Sequence, residues 1–138
     1  MRASSPMHCA FFGERARFHH VGMAVRSIRA VDPSFDVFHD EKVGVAMSFI
    51  TLNGITIELL EPLGEDSPIA GNLRDGVKLL HLCYEVPDLT EALELGRAAG
   101  FHRISQPAEQ RVYDGRRVVW VFSKHYGLFE LLEQSESA

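Results

Sequence analysis

Two histidines and two glutamates occupy matching places in two pairs of similar stretches. FHHVGMAV, residues 18–25, and LLHLCYEV, residues 79–86, each set a histidine five residues before a valine, His20 before Val25 and His81 before Val86. TIELLEP, 56–62, and LFELLEQ, 128–134, each carry Glu-Leu-Leu-Glu behind an apolar lead-in, starting at Glu58 and Glu130. The order histidine stretch, then glutamate stretch, is thus written twice. Two neutral imidazoles and two carboxylates form a donor set for a borderline divalent metal such as Zn, Ni, Co, Mn or Fe. Gathered at one point, His20, Glu58, His81 and Glu130 would hold such an ion and leave positions for water or substrate.

Strands must do the gathering. Side chains alternate along a strand, so His20, Gly22 and Ala24 share one face, and Val21, Met23 and Val25 the other. His19 is expected to face away from His20, and small Gly22 and Ala24 to leave room for a substrate. In the second stretch His81, Cys83 and Glu85 face one way, and Leu82, Tyr84 and Val86 pack the other. The interval from histidine to glutamate is longer in the second copy by about three helical turns, at roughly 3.6 residues per turn. PDLTEALELGRAAG, 87–100, supplies them: Asp88 is an N-cap with Glu91 three residues on. Leu89, Ala92, Leu93, Gly96 and Ala99 form one face, and Gly100 ends the helix. In the first copy RSIRAVDPSFD allows a single turn at most, because Asp32 and Pro33 interrupt it.

The other stretches read as strands and turns. KVGVAMSFI, 42–50, and NGITIELLE, 53–61, join through Asn53-Gly54. HRISQPAEQRVY leads through Asp114-Gly115 into RRVVWVFS, 116–123, and KHYG turns into LFELLE. EDSPIAGNLRDG, 65–76, reads as a linker with a short helix, which Ser67 can cap and Pro68 can begin. The residues thus give a strand, a helix and then three strands, written twice, with the helix of the first module truncated. An N-terminal extension, 1–16, precedes a single domain, 17–138, with module one at 17–74 and module two at 75–138.

Bulk properties narrow the function. The 138 residues, 46% hydrophobic and 24% charged, suit one globular domain. A net charge of −5 without a basic patch argues against nucleic acid. No apolar run approaches the length of a membrane span, and the N-terminal apolar stretch is too short for a secretory signal. Two cysteines, Cys9 and Cys83, make no disulfide framework. A cytoplasmic protein with reduced thiols is expected. Cys83 is either a packed small hydrophobe or a redox-sensitive neighbour of the metal. Arg116 and Arg117 are either an exposed strand start or a binder of carboxylate or phosphate.

FHHVGMAV, ITIELLEPLGEDSPIA, LLHLCYEV and LFELLE together resemble the vicinal oxygen chelate superfamily, which includes glyoxalase I, methylmalonyl-CoA epimerase, fosfomycin-resistance proteins and extradiol dioxygenases. ELLEPLGEDSPIA is most similar to the methylmalonyl-CoA epimerase-like members. The resemblance implies an α+β fold of two βαβββ modules forming an open, cupped mixed sheet around a metal site, with the first-module helix truncated, and His20, Glu58, His81 and Glu130 as ligands of a divalent metal. It also implies a metal-dependent isomerase, epimerase or lyase that abstracts a proton next to a carbonyl of a small acyl thioester or related acid. Glu130 is the expected catalytic base, since a ligand that loosens can also move a proton. Tyr113, Lys124 and His125 are candidates for a second acid–base group. Unlike some epimerases, this chain has no second carboxylate within KVGVAMSFI, where Asp40 and Glu41 only precede the strand, and SKHYG replaces His-Pro-Lys. A dioxygenase is disfavoured, because Glu58 would fill a position oxygen needs. The alternative is a non-catalytic small-molecule binding or resistance protein of the same fold. The truncated helix leaves Val21, Met23, Val25, Ile55, Ile57 and Leu59 on an apolar sheet face that needs cover, and because related proteins commonly pair the resemblance favours a second subunit. That cover would come from a homodimer partner or from Phe11, Phe12 and Phe18 folding back.

Overall fold

The computed structural model describes residues 5–135. The first half contains β1 (Arg17–Ala24), the single turn α1 (Ile28–Val31), β2 (Phe38–Asp40), β3 (Val45–Leu52) and β4 (Ile55–Pro62). A short helix, α2 (Ala70–Arg74), leads to β5 (Leu79–Val86) and α3 (Leu89–Ala98). The chain ends with β6 (His102–Arg103), β7 (Ala108–Glu109), a 3-10 turn (Arg111–Tyr113), β8 (Arg117–Ser123) and β9 (Gly127–Glu133). One mixed sheet takes up all nine strands in the order β2-β3-β4-β1-β5-β9-β8-β6, with β7 also on β8. It does not close, since β2 and β6 lie at opposite ends of that order.

The repeat in the sequence appears as repeated pairing. β1 and β5 lie antiparallel at the centre. Each runs parallel to its own glutamate strand, β1 to β4 and β5 to β9. Each glutamate strand then pairs antiparallel with the strand before it, β3 or β8. Two-residue turn chemistry sets the first hairpin: Asn53 and Gly54 both have positive φ, 48° and 88°, as a tight hairpin turn demands. Leu52 therefore stands opposite Ile55, and Phe49 opposite Glu58.

The helices differ as the sequence requires. The Asp88 carboxylate accepts from the Glu91 amide at 3.1 Å and starts α3. Leu89, Ala92 and Gly96 of α3 are buried, and the helix packs with Val86, Phe101, Val119, Phe129 and Leu131. α1 is a single turn, capped by the Ser27 hydroxyl on the Ala30 amide. In place of a full helix, Ile28 with Phe35 and Val37 of the following loop covers Ile57 and Leu59.

The N-terminal stretch does fold back, but over the other module. Phe12 is buried against Val86, Leu89, Ala92, Phe101 and Phe129. Its ring uses the missing side chain of Gly96, where a Cβ would come within 2.9 Å of Phe12 Cε1. Phe11 packs on the same cluster, while Phe18 stays largely exposed. The expectation that these phenylalanines replace the lost helix of module one is corrected: α3 offers them a groove at Gly96. The cap assigned to Ser67 is also corrected. Ile69 occupies the N-cap position of α2, and the Ser67 hydroxyl is buried with no hydrogen bond among the described residues. Its carbonyl accepts from the amide of Ala70, the first residue of the helix. Among the described residues, no helix is long and apolar enough to cross a membrane.

Candidate metal centre

The pairing brings four side chains to one point. His20 on β1, His81 on β5, Glu58 on β4 and Glu130 on β9 are all buried. His20 Nε2 lies 3.2 Å from Glu58 Oε1, 3.3 Å from Glu130 Oε1 and 3.3 Å from His81 Nε2. His81 Nε2 lies 3.5 Å from both glutamate oxygens. These separations suit one ion: ligand bonds of about 2.0–2.1 Å at tetrahedral angles put donors about 3.4 Å apart. The four side chains therefore form a group that could hold a metal ion.

Their mutual reach follows from small residues placed between the modules. Gly22 stands opposite His81, and Cys83 opposite His20, across the central β1–β5 pair. A Cβ on Gly22 would overlap the His81 imidazole. The space beside Gly22 thus belongs to the His81 ring rather than to a substrate, which corrects the expectation for that residue. Each ligand ring also meets an aromatic edge of its own module: His20 with Phe49 at 5.4 Å and His81 with Trp120 at 4.8 Å. Phe49 and Trp120 are the strand partners of Glu58 and Glu130. The sequence reading missed both, although the Asn53-Gly54 turn already places Phe49 opposite Glu58.

His19 overturns the alternation argument. The β1–β5 register shifts between Phe18 and His20, which leaves His19 as an extra residue on β1. Its ring consequently lies on the same side as that of His20, and both meet Phe49 and Tyr113. The Nδ1 atoms of His19 and His20 are 2.8 Å apart. A second shift makes Leu80 the extra residue before His81.

Charges in the cluster tune one another. Burial disfavours the His81 imidazolium, but hydrogen bonds to Glu130 and Glu58 outweigh it and raise His81 to about 9. His20 is raised by the same partners against its own burial. Burial pushes Glu130 up, and hydrogen bonds from His20 and His81 overcome it and hold the carboxyl at about 2. Burial, then the charge of Glu130, drives the Cys83 thiol far upward. Cys83 is therefore a packed, protonated thiol among Tyr113, Val118 and Leu132, and not a reactive one.

Three of the four, Glu58, His81 and Glu130, floor a cavity of about 440 Å³. Val45, Met47 and Leu60 come from one wing of the sheet, and Val118 and Trp120 from the other. Among the described residues, its ionisable lining groups are Glu58, His81, Glu130 and Tyr113. The Tyr113 hydroxyl donates to Glu130 Oε1 at 3.5 Å. Burial and the charge of Glu130 push its proton loss far above the ordinary phenol range, so it stays a donor. Lys124 and His125 are exposed on the β8–β9 turn and do not line the cavity. The arginines are engaged within the chain. Arg116 pairs with Glu85 at 2.7 Å and lies over the Tyr113 ring, while Arg117 pairs with Glu133 at 2.7 Å.

Comparison with known proteins agrees with this geometry. A model of the glyoxalase/bleomycin resistance protein/dioxygenase superfamily matches residues 19–120. The ethylmalonyl-CoA/methylmalonyl-CoA epimerase of Cereibacter sphaeroides is 33% identical over 130 residues, 86% of this chain and 97% of that one. Human mitochondrial methylmalonyl-CoA epimerase is 31% identical over 86 residues, covering 61% of this chain and 48% of its own. The methylmalonyl-CoA epimerase of Mycobacterium tuberculosis shares the fold, with a TM-score of 0.70 over 95% of each chain at 21% identity. A variant of the Streptomyces coelicolor methylmalonyl-CoA epimerase, in complex with 2-nitronate-propionyl-CoA, gives a TM-score of 0.66 at 25% identity over 87% of this chain and 95% of its own. With the duplicated strands, the four converging side chains and these relatives in agreement, the chain belongs to the glyoxalase/bleomycin resistance protein/dioxygenase superfamily.

Proposed function

We propose that the protein is a metal-dependent epimerase acting on a short branched acyl thioester of the methylmalonyl-CoA or ethylmalonyl-CoA kind. One observation carries this reading: His20, Glu58, His81 and Glu130 converge within ion-binding distance, the last three at the floor of a cavity whose walls are mainly apolar. The named activity of the Cereibacter sphaeroides relative supplies the substrate class. The same four residues would hold the ion, with Zn, Ni, Co, Mn and Fe as its candidates. When bound, a divalent ion supplies Lewis acidity that stabilises negative charge developing on a carbonyl oxygen.

The chain's own groups account for the rest. Glu130 faces the cavity and takes the proton from the carbon next to the carbonyl. Tyr113 holds that carboxylate by its hydrogen bond and, as a phenol that keeps its proton, is the candidate acid that returns a proton, since among the described residues it is the ionisable lining group outside the four donors. Val45, Met47, Leu60 and Val118 give the branch of the acyl group an apolar seat. The protein works as a homodimer in this reading, supported by Leu52 and Ile55, which face each other at the β3–β4 turn and remain more than half exposed.

Incubation with methylmalonyl-CoA or ethylmalonyl-CoA and a divalent ion in deuterated water should place label at the carbon between the carbonyls, read by NMR. Glu130→Gln should slow that exchange by about 10²–10⁴-fold. Equal exchange in the variant would remove Glu130 as the base. Absence of exchange with both thioesters in the metal-loaded protein would contradict the epimerase reading.

A further inference from the structure

We propose that His19 positions His20 for ion binding by accepting a hydrogen bond from its second ring nitrogen; this rests on the metal reading above. His20 turns Nε2 toward the other three donors. To offer a lone pair there, it must carry its proton on Nδ1. That proton needs an acceptor, because His20 is fully buried. His19 Nδ1 lies 2.8 Å from His20 Nδ1, within hydrogen-bonding distance, and acts as the acceptor when its own proton is on Nε2. Ligand histidines are generally fixed in this way through the nitrogen that does not face the metal. Here the fixing group is the adjacent residue in the chain, which a strand without a bulge would point to the opposite face. The register shift at His19 makes the contact geometrically possible.

The other module shows what the bulge does without a histidine. Leu80 is the extra residue before His81, and it lines the cavity. Among the described residues His81 Nδ1 has no hydrogen-bond partner, and its ring is held by the Trp120 edge and the hollow at Gly22. The two ligand histidines are therefore supported unequally: His20 is closed off and hydrogen-bonded, whereas His81 is packed and faces the cavity. His19 sits between Phe49 and Tyr113, so a phenyl ring can replace its shape without replacing its acceptor.

Titration of the full chain with Co(II) tests this, with the ion's absorption spectrum and chelator competition as readouts. His19→Phe keeps the ring and removes the acceptor, while His19→Asn places an amide oxygen near the position of Nδ1. His19→Leu copies the residue found at the matching bulge and serves if the phenylalanine variant does not fold. One ion per chain is expected throughout. The Phe or Leu variant should bind it about 10–100-fold more weakly and with an altered spectrum, and the Asn variant should stay within about threefold of the unaltered protein. Equal affinity in the Phe and Leu variants would overturn the proposal, as would an Asn variant as weak as they are. Two ions falling to one on substitution would overturn it differently, by making His19 a ligand in its own right. No Co(II) uptake by the unaltered protein would remove the metal reading and this proposal with it. Normal uptake that ignores His19 would remove this proposal alone.

Discussion

At Gly22 the two modules approach closely, because the His81 ring of the second fills the place of a side chain in the first. Gly22→Ala should therefore displace His81 and weaken Co(II) binding by at least about tenfold, measured by chelator competition, while secondary structure by circular dichroism is kept. Unchanged affinity would mean that the ring has another place to go. Tyr113 can be separated from the ligands in the same spirit. Tyr113→Phe removes one hydroxyl and leaves the four donors in place. We expect metal uptake to be unchanged and proton exchange to fall by about 10²-fold or more. If exchange persists at full rate, Tyr113 is a wall of the cavity and no more. His20, Glu58, His81 and Glu130 were legible in the sequence because duplication marks them, whereas His19 was not. Strict alternation assigns His19 to the far face, and a bulge of one residue reverses that assignment without any turn residue to announce it.

At the level of elements, α3 and the N-terminal stretch form one unit. Phe12 is buried on α3 over Gly96 and meets the Phe101 and Phe129 rings at 4.9 and 5.8 Å. Phe12→Ala should cost about 3–5 kcal/mol of stability, as expected for emptying an aromatic site in a core, read by chemical denaturation. Deleting residues 1–16 should destabilise at least as much. A truncated protein as stable as the full chain would show that the tail is only laid against the helix. The element order itself was readable from apolar alternation, the Asn53-Gly54 turn and the Asp88 cap, each of which acts locally. What covers module one was not readable. Its answer lies in Phe35 and Val37, loop residues with no periodicity, which close over Ile57 and Leu59 where a longer helix is absent. Likewise the groove at Gly96 exists only once α3 is packed, so the sequence could name the phenylalanines but not their destination.

Across the whole molecule, the two halves place opposite kinds of charge at one buried centre, and this ties stability to pH. In the metal-free protein His81 is raised to about 9 from an ordinary 6.5, so its stabilising effect is complete below 6.5 and lost as pH rises toward 9. Glu130 is lowered to about 2 from 4.5, so its effect is complete above 4.5 and lost as pH falls toward 2. Metal-free stability should therefore be greatest between about 4.5 and 6.5 and decline above that window. An ion bound as proposed would have to displace the protons held at the cluster, so its affinity would rise with pH. Thermal melts should accordingly show the stabilisation by Co(II) growing between about pH 6 and about pH 8.5. A constant stabilisation over that range would detach the ion from the histidines. The proposal that duplicated strands build one ion site from His20, Glu58, His81 and Glu130 is tested most directly by elemental analysis of the purified protein with a His81→Ala control. It predicts about one divalent ion per chain in the unaltered protein and little in the variant. No ion as purified with metals available, together with no uptake on titration, would contradict it.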